Sequence, residues 1–202
     1  MWTPSAKLAA VQGALMLLGA AAVAGLVAMG GRSGAIAGDG YQGPYGFGTP
    51  ASEAEIAAMD IDIMPDGHGL PPGSGTPAEG EAVYQSNCAP CHGANLEGSA
   101  ILGADRLIGG RGSLATVEPI KTVESYWPYA TTLYDYIGRA MPFNLPGSLS
   151  ADEVYAVVAY ILLRANIVEA GTEMNAQSLP QVRMPNRDGF IPDSRPDVFD
   201  YN

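Results

Sequence analysis

Cys88-Ala89-Pro90-Cys91-His92 contains both cysteines of the chain, with a histidine directly behind the second. Two thiols three positions apart lie on one turn of helix. They can reach the two vinyl groups of one porphyrin, and the next residue presents its imidazole to the iron. Covalent attachment of haem is the chemistry this spacing serves. A redox dithiol uses C-x-x-C in a βαβ context, and no such pattern surrounds Cys88. A structural zinc site wants four ligands, and beyond Cys88, Cys91 and His92 only His68 and carboxylates remain to complete one. A simple disulfide is compatible with export but leaves His92 without a task. The expectation is one covalent haem c, bound through Cys88 and Cys91, with His92 as an iron ligand.

A second ligand signal lies downstream in Arg139-Ala140-Met141-Pro142-Phe143. A low-spin electron-transfer haem commonly takes a Met thioether as its sixth ligand, which raises the reduction potential. Of the eight methionines, Met1, Met16 and Met29 belong to the N-terminal apolar segment. Met59 and Met64 precede the haem motif, and Met174 and Met184 follow the last helical pattern. Met141 alone sits between two helical patterns, with a proline beside it to restrict the chain. It is the expected distal iron ligand. The alternatives are a core methionine filling a gap and His68 as the sixth ligand. His68 lies in Asp66-Gly67-His68-Gly69, which reads as solvated linker.

The elements that must hold these residues read as all-α. Thr76-Pro77-Ala78-Glu79 has an N-cap Thr, Pro at the first helical position and Glu at the third, a capping box. The helix it starts runs into the haem motif, with Gly80, Tyr84 and Cys88 one turn apart on a single face. A glycine on that face lets another helix approach closely. Residues 93–130 are irregular, broken by Gly103, Gly109, Gly110 and Gly112. A helix near Thr132–Ala140 follows, with Leu133, Tyr136, Ile137 and Ala140 at helical spacing, and it delivers the chain to Met141. Ser150-Ala151-Asp152-Glu153 is a second capping box. The helix beyond it, through about Ala165, carries Val154, Val157, Val158, Ile161 and Leu162 on its buried side. Tyr155, Ala159 and Tyr160 would face the first helix or the haem edge.

Outside this block the composition changes. Residues 8–31 are apolar except for Gln12, flanked by Lys7 and Arg32. About twenty such residues span a bilayer core, so residues 1–32 are expected to be a membrane anchor. Ala35-Ile36-Ala37 would suit cleavage of a signal segment instead. Residues 33–75 read as a Gly/Pro-rich acidic linker, with one short helix at Glu53–Met59. Residues 76–168 form the expected haem domain, and 169–202 an extended tail, proline-studded and without periodicity. Such a tail gains little from folding on itself and would lie across a partner or drape over the haem domain. The chain of 202 residues has net charge −11, which argues against nucleic acid and suits docking to a basic protein surface.

Helix, C-x-x-C-H, irregular segment, helix, Met loop and terminal helix together resemble a class I cytochrome c over roughly residues 76–168. The resemblance implies an all-α fold wrapped around one haem, with Cys88, Cys91, His92 and Met141 as its cofactor residues. No Pro-x-Leu follows the motif to supply the carbonyl that receives the proximal histidine's Nδ1–H, so that acceptor is open. Tyr45-Gly46-Phe47-Gly48-Thr49-Pro50, Ile61-Asp62-Ile63-Met64-Pro65-Asp66-Gly67, the run Lys121 to Ala130, and Met184-Pro185-Asn186-Arg187-Asp188-Gly189-Phe190 are similar to the cytochrome subunit of the Sox sulfur dehydrogenase. That resemblance implies pairing with a molybdenum-cofactor protein of the sulfite oxidase type, whose electrons leave one at a time through this haem. Members often carry a second haem domain, whereas this chain has one C-x-x-C-H.

The expected function is a non-catalytic, membrane-tethered monohaem electron carrier serving a molybdenum sulfite or sulfur dehydrogenase. Haem attachment occurs outside the cytoplasm, so the haem domain is expected on the periplasmic side of a bacterial cytoplasmic membrane. A shuttle between a quinol-oxidising complex and a terminal oxidase or photosynthetic reaction centre is the alternative. A haem peroxidase would need an open iron position, which His92 and Met141 together close. Trp127, Tyr129 and Arg111 are candidates for bonding the haem propionates.

Overall fold

The computed structural model describes residues 48–191. The chain divides after Ile56, and everything below, helix α1 apart, concerns the unit that begins at Ala57. Helix α1, Glu53–Met59, is capped by Ser52, whose Oγ accepts from Glu55 N at 3.3 Å, and it buries no residue. Among the described residues no helix is long and apolar enough to cross a membrane. The expected anchor, 8–31, lies outside them.

Two helices make the frame. Helix α2, Pro77–Asn87, starts at the expected capping box: Thr76 Oγ1 accepts from Glu79 N, and Thr76 N donates to Glu79 Oε2 at 2.8 Å. A four-residue turn, α3, Ala89–His92, continues from its end. Helix α4, Ala130–Ala140, begins two residues earlier than its periodicity predicts, because Tyr129 takes the extended conformation that starts a helix without any side-chain cap. Helix α5, Ala151–Arg164, starts at the second capping box, with Ser150 N donating to Glu153 Oε2 at 2.8 Å.

Helix α2 crosses α5 at Gly80, where a Cβ would run into the Ala156 main chain and lie 2.9 Å from Tyr160 Cβ. The missing side chain permits the close approach expected of this face. One turn on, fully buried Tyr84 packs against Tyr160 with ring centroids 5.2 Å apart. Tyr155 packs against Tyr134 of α4 at 4.4 Å. Helix α5 is therefore surrounded, and Val154 through Leu162 are all buried.

The packed unit reaches beyond 76–168 in both directions. On the N-terminal side, Ile63 N donates to Asp135 Oδ1 at 3.2 Å, Tyr155 Oη to Pro71 O at 2.9 Å, and Ser74 N to Asp152 Oδ1 at 2.8 Å. Strand β1, Ser74–Gly75, pairs antiparallel with β2, Met174–Asn175, in the register Ser74 to Asn175 and Gly75 to Met174. On the C-terminal side a 3₁₀ turn, Leu179–Gln181, follows β2. Met174, Leu179 and Met184 are each at most 1 % exposed, so through Met184 the tail is part of the domain rather than loosely laid over it. Each such side chain stabilises the fold by roughly 1.5–3 kcal/mol. The expected tail lacks periodicity because it buries single side chains, with main-chain groups satisfied by local side chains such as Ser178, whose Oγ accepts from Asn175 N at 2.9 Å.

Candidate haem site

Tyr84, Cys88 and His92 are linked by one run of main-chain bonds. Cys88 N donates to Tyr84 O at 2.8 Å, closing α2, and His92 N donates to Cys88 O at 2.8 Å, closing α3. Pro90 is tolerated because the first turn of a helix needs no N–H from it. Gly93 stops the turn at φ +80°, a conformation that favours glycine. Tyr84 Oη donates to Gly93 O at 2.7 Å and ties the end of the motif back to α2. Burial pushes the Tyr84 hydroxyl pKa well above its ordinary value, so it remains a donor.

Both thiols are free. Cys88 is half-buried, and burial, with Cys91 beside it, pushes its thiol up to about 11. Among the described residues no cluster of three or more His, Cys, Asp or Glu side chains could hold a metal ion.

His92 Nδ1 lies 2.8 Å from Asp105 O. A carbonyl only accepts, so Nδ1 carries the proton and Nε2 keeps its lone pair for a metal. This is the acceptor that the missing Pro-x-Leu had left open. Asp105-Arg106-Leu107 stands in its place, and the bond uses the main chain, which is blind to the side chain at 105. Leu107 N in turn donates to Leu96 O at 2.9 Å.

Met141 caps the C-terminus of α4 in extended conformation, its N–H donating to Ile137 O at 3.1 Å. It is half-buried and packs on the same hydrophobic core as Cys88, Ala89, Leu107, Ile108, Trp127 and Leu149. His68 is exposed. Its N–H donates to Asp66 Oδ1 at 2.9 Å, and neighbouring Gly67 abuts Pro180. Of the three residues considered for propionates, Arg111 is otherwise engaged: Nε donates to Glu124 Oε1 at 2.6 Å and the guanidinium to Ala165 O at 2.6 Å, at the end of α5. Tyr129 lies under the Arg187 guanidinium, 4.6 Å from it. Trp127 is half-buried and meets Tyr136 edge-on at 5.7 Å.

Glu124 is a partner sequence reasoning passed over. Besides Arg111 it accepts from Gly109 N at 2.5 Å, so one carboxylate holds the glycine-rich loop to α5 through Arg111. The residues present fit a covalent haem: two unpaired thiols flank one turn, an imidazole is locked with Nε2 free, and a half-buried thioether stands at the end of α4.

Comparison with known proteins agrees. The family described as cytochrome c oxidase, cbb3-type, subunit III matches residues 75–161. A solved structure, the sulfane dehydrogenase SoxCD from Paracoccus pantotrophus, has a chain 45% identical to this one. The alignment covers 74% of this chain and 73% of that one, with a TM-score of 0.67. No curated protein matches. Fold, motif and this similarity make the chain a member of the class I cytochrome c family, electron-transfer proteins that carry covalent haem c, and of the kind found in SoxCD.

Proposed function

We propose that Cys88 and Cys91 hold one haem c, that His92 and Met141 would hold its iron, and that the chain takes single electrons from a molybdenum-cofactor sulfite or sulfur dehydrogenase partner. The observation that carries the partner assignment is the 45% identity to a chain of a sulfane dehydrogenase across 74% of this protein. The ligand assignment is supported by the His92 Nδ1 bond to Asp105 O, which leaves Nε2 as the only ring nitrogen able to coordinate. A haem bound there supplies one-electron chemistry, cycling between ferrous and ferric. The residues would fix its surroundings: with His92 and Met141 both holding the iron, substrate would find no open position there, and the protein would act as a carrier rather than a catalyst.

The haem domain works on the periplasmic side of a bacterial cytoplasmic membrane, tethered by residues 8–31. This rests on the length of that apolar run and on the site of haem attachment. Co-expression with a molybdenum-cofactor subunit tests the partner. The two should copurify, and the sulfur substrate should reduce the cytochrome bands. Failure of both removes the partner and leaves the electron carrier. A second reading, delivery of electrons to a terminal oxidase, is favoured by the description of the matching family. Rapid exchange with an oxidase, and none with a sulfur dehydrogenase, would select it.

A further inference from the structure

The carbonyl that receives His92 sits at the base of a small hairpin. Ser99 N donates to Ala104 O at 2.8 Å and Ala104 N to Ser99 O at 3.0 Å, an isolated antiparallel bridge. Below the bridge, Gly98 N donates to His92 O at 2.7 Å. The hairpin therefore starts on the main chain of the histidine whose ring it also engages at Asp105. The loop leading into it is held under strain: fully buried Leu96 keeps φ +62°, a left-handed conformation costly for a side chain of this size.

Gly98 stands at φ +80°, and a Cβ there would lie 2.5 Å from Arg106 N, 2.7 Å from Ala104 O and 2.8 Å from the carbonyl carbon of Asp105. All three are main-chain atoms, so none can swing aside as the end of a flexible side chain would. Any side chain at 98 has to push the 104–106 strand away, and the Asp105 carbonyl moves with it. Gly103, in the same hairpin at φ +66°, has nothing within 4 Å of its would-be Cβ.

We infer that Gly98 is a positioning residue for the proximal ligand: its missing side chain sets the distance between Asp105 O and His92 Nδ1, and through it the donor strength of the imidazole. This rests on the reading of His92 as a haem ligand. An acceptor on Nδ1–H raises the basicity of a ligating histidine. A more basic ligand favours the ferric state, so the bond holds the midpoint potential down. Lengthening it raises the potential.

Two variants of the full-length holoprotein and one measurement on the native protein test this. In Gly98→Ala the midpoint potential shifts upward and the His92 Nδ1 proton, followed by NMR, exchanges with D2O faster than in wild type. Gly103→Ala, which adds left-handed strain without the collision, keeps the wild-type potential. In wild-type holoprotein the Nδ1 proton is protected from exchange, and loss of that protection would overturn the inference even where Gly98→Ala fails to mature. An unchanged potential in Gly98→Ala, an equal shift in Gly103→Ala, or a wild-type Nδ1 proton lost within the dead time overturns the inference. A wild-type product whose mass lacks the haem overturns the underlying reading of the site, and this one with it.

Discussion

Met141 caps α4 through the bond from its N–H to Ile137 O, which is made by the main chain. Its side chain is therefore free to be changed without unwinding the helix. With Met141 as the proposed iron ligand, Met141→Ala should lower the midpoint potential, because sulfur ligation raises it, and the reduced protein should take up carbon monoxide. Spectroelectrochemistry and a carbon monoxide difference spectrum check both. Wild type should bind none. The cofactor motif was legible here because its chemistry depends on side-chain types at fixed spacing. The acceptor at Asp105 was not legible, because the group that acts is a peptide carbonyl and every residue has one. Arg111 has protein partners that composition did not reveal. Its charge made it a candidate for a propionate; the end of α5 offers it the carbonyl of Ala165, and Glu124 pairs with it.

Helices were read well where caps and faces coincide. Both capping boxes formed as expected, and Gly80 sits where α2 meets α5. Gly80→Ala should cost about 1–3 kcal/mol or more, the range for overpacking a close contact. Gly138, inside α4 with nothing within 4 Å of a Cβ, is the counterpart. Gly138→Ala should stabilise by about 0.5–1 kcal/mol. Urea midpoints of the two variants must move in opposite directions. The caps also respond to acid. Hydrogen bonds from the Ser150 main chain and then its hydroxyl hold the Glu153 carboxyl below its ordinary 4.5. A group with a depressed folded-state pKa contributes stability that is complete above its unfolded value and lost as pH falls through the folded one. Glu153→Gln should therefore be less stable than wild type at neutral pH, and the gap should close once pH drops well below 4.5. Denaturant titrations across that interval measure it.

On the scale of the molecule, the sequence suggested a haem domain between a linker and a tail, and the structure folds parts of both into it. Composition misled here. Residues such as Gly67, Pro71 and Pro180 break periodicity, yet Tyr155 holds the Pro71 carbonyl, Asp152 and Asp135 hold the nearby Ser74 and Ile63 N–H groups, and Gly67 abuts Pro180. Such bonds leave no repeating pattern to detect. Ending the chain after Val168 would remove β2, the 3₁₀ turn and three fully buried side chains. At roughly 1.5–3 kcal/mol each, their loss approaches the whole stability of a small domain, about 5–15 kcal/mol. The shortened protein should unfold at far lower urea, read by far-UV circular dichroism.

Helix α5 has nine consecutive buried residues, Val154 through Leu162. Most helices of soluble proteins show a tolerance to substitution that rises and falls every three to four positions, as the chain turns toward water and back. Here that rhythm should be absent. An aspartate walked along these positions meets no permissive site, while exchanges among aliphatic residues of like volume pass nearly unnoticed. Descendants of this sequence can vary in the identity of those residues, but none can give the helix a wet side.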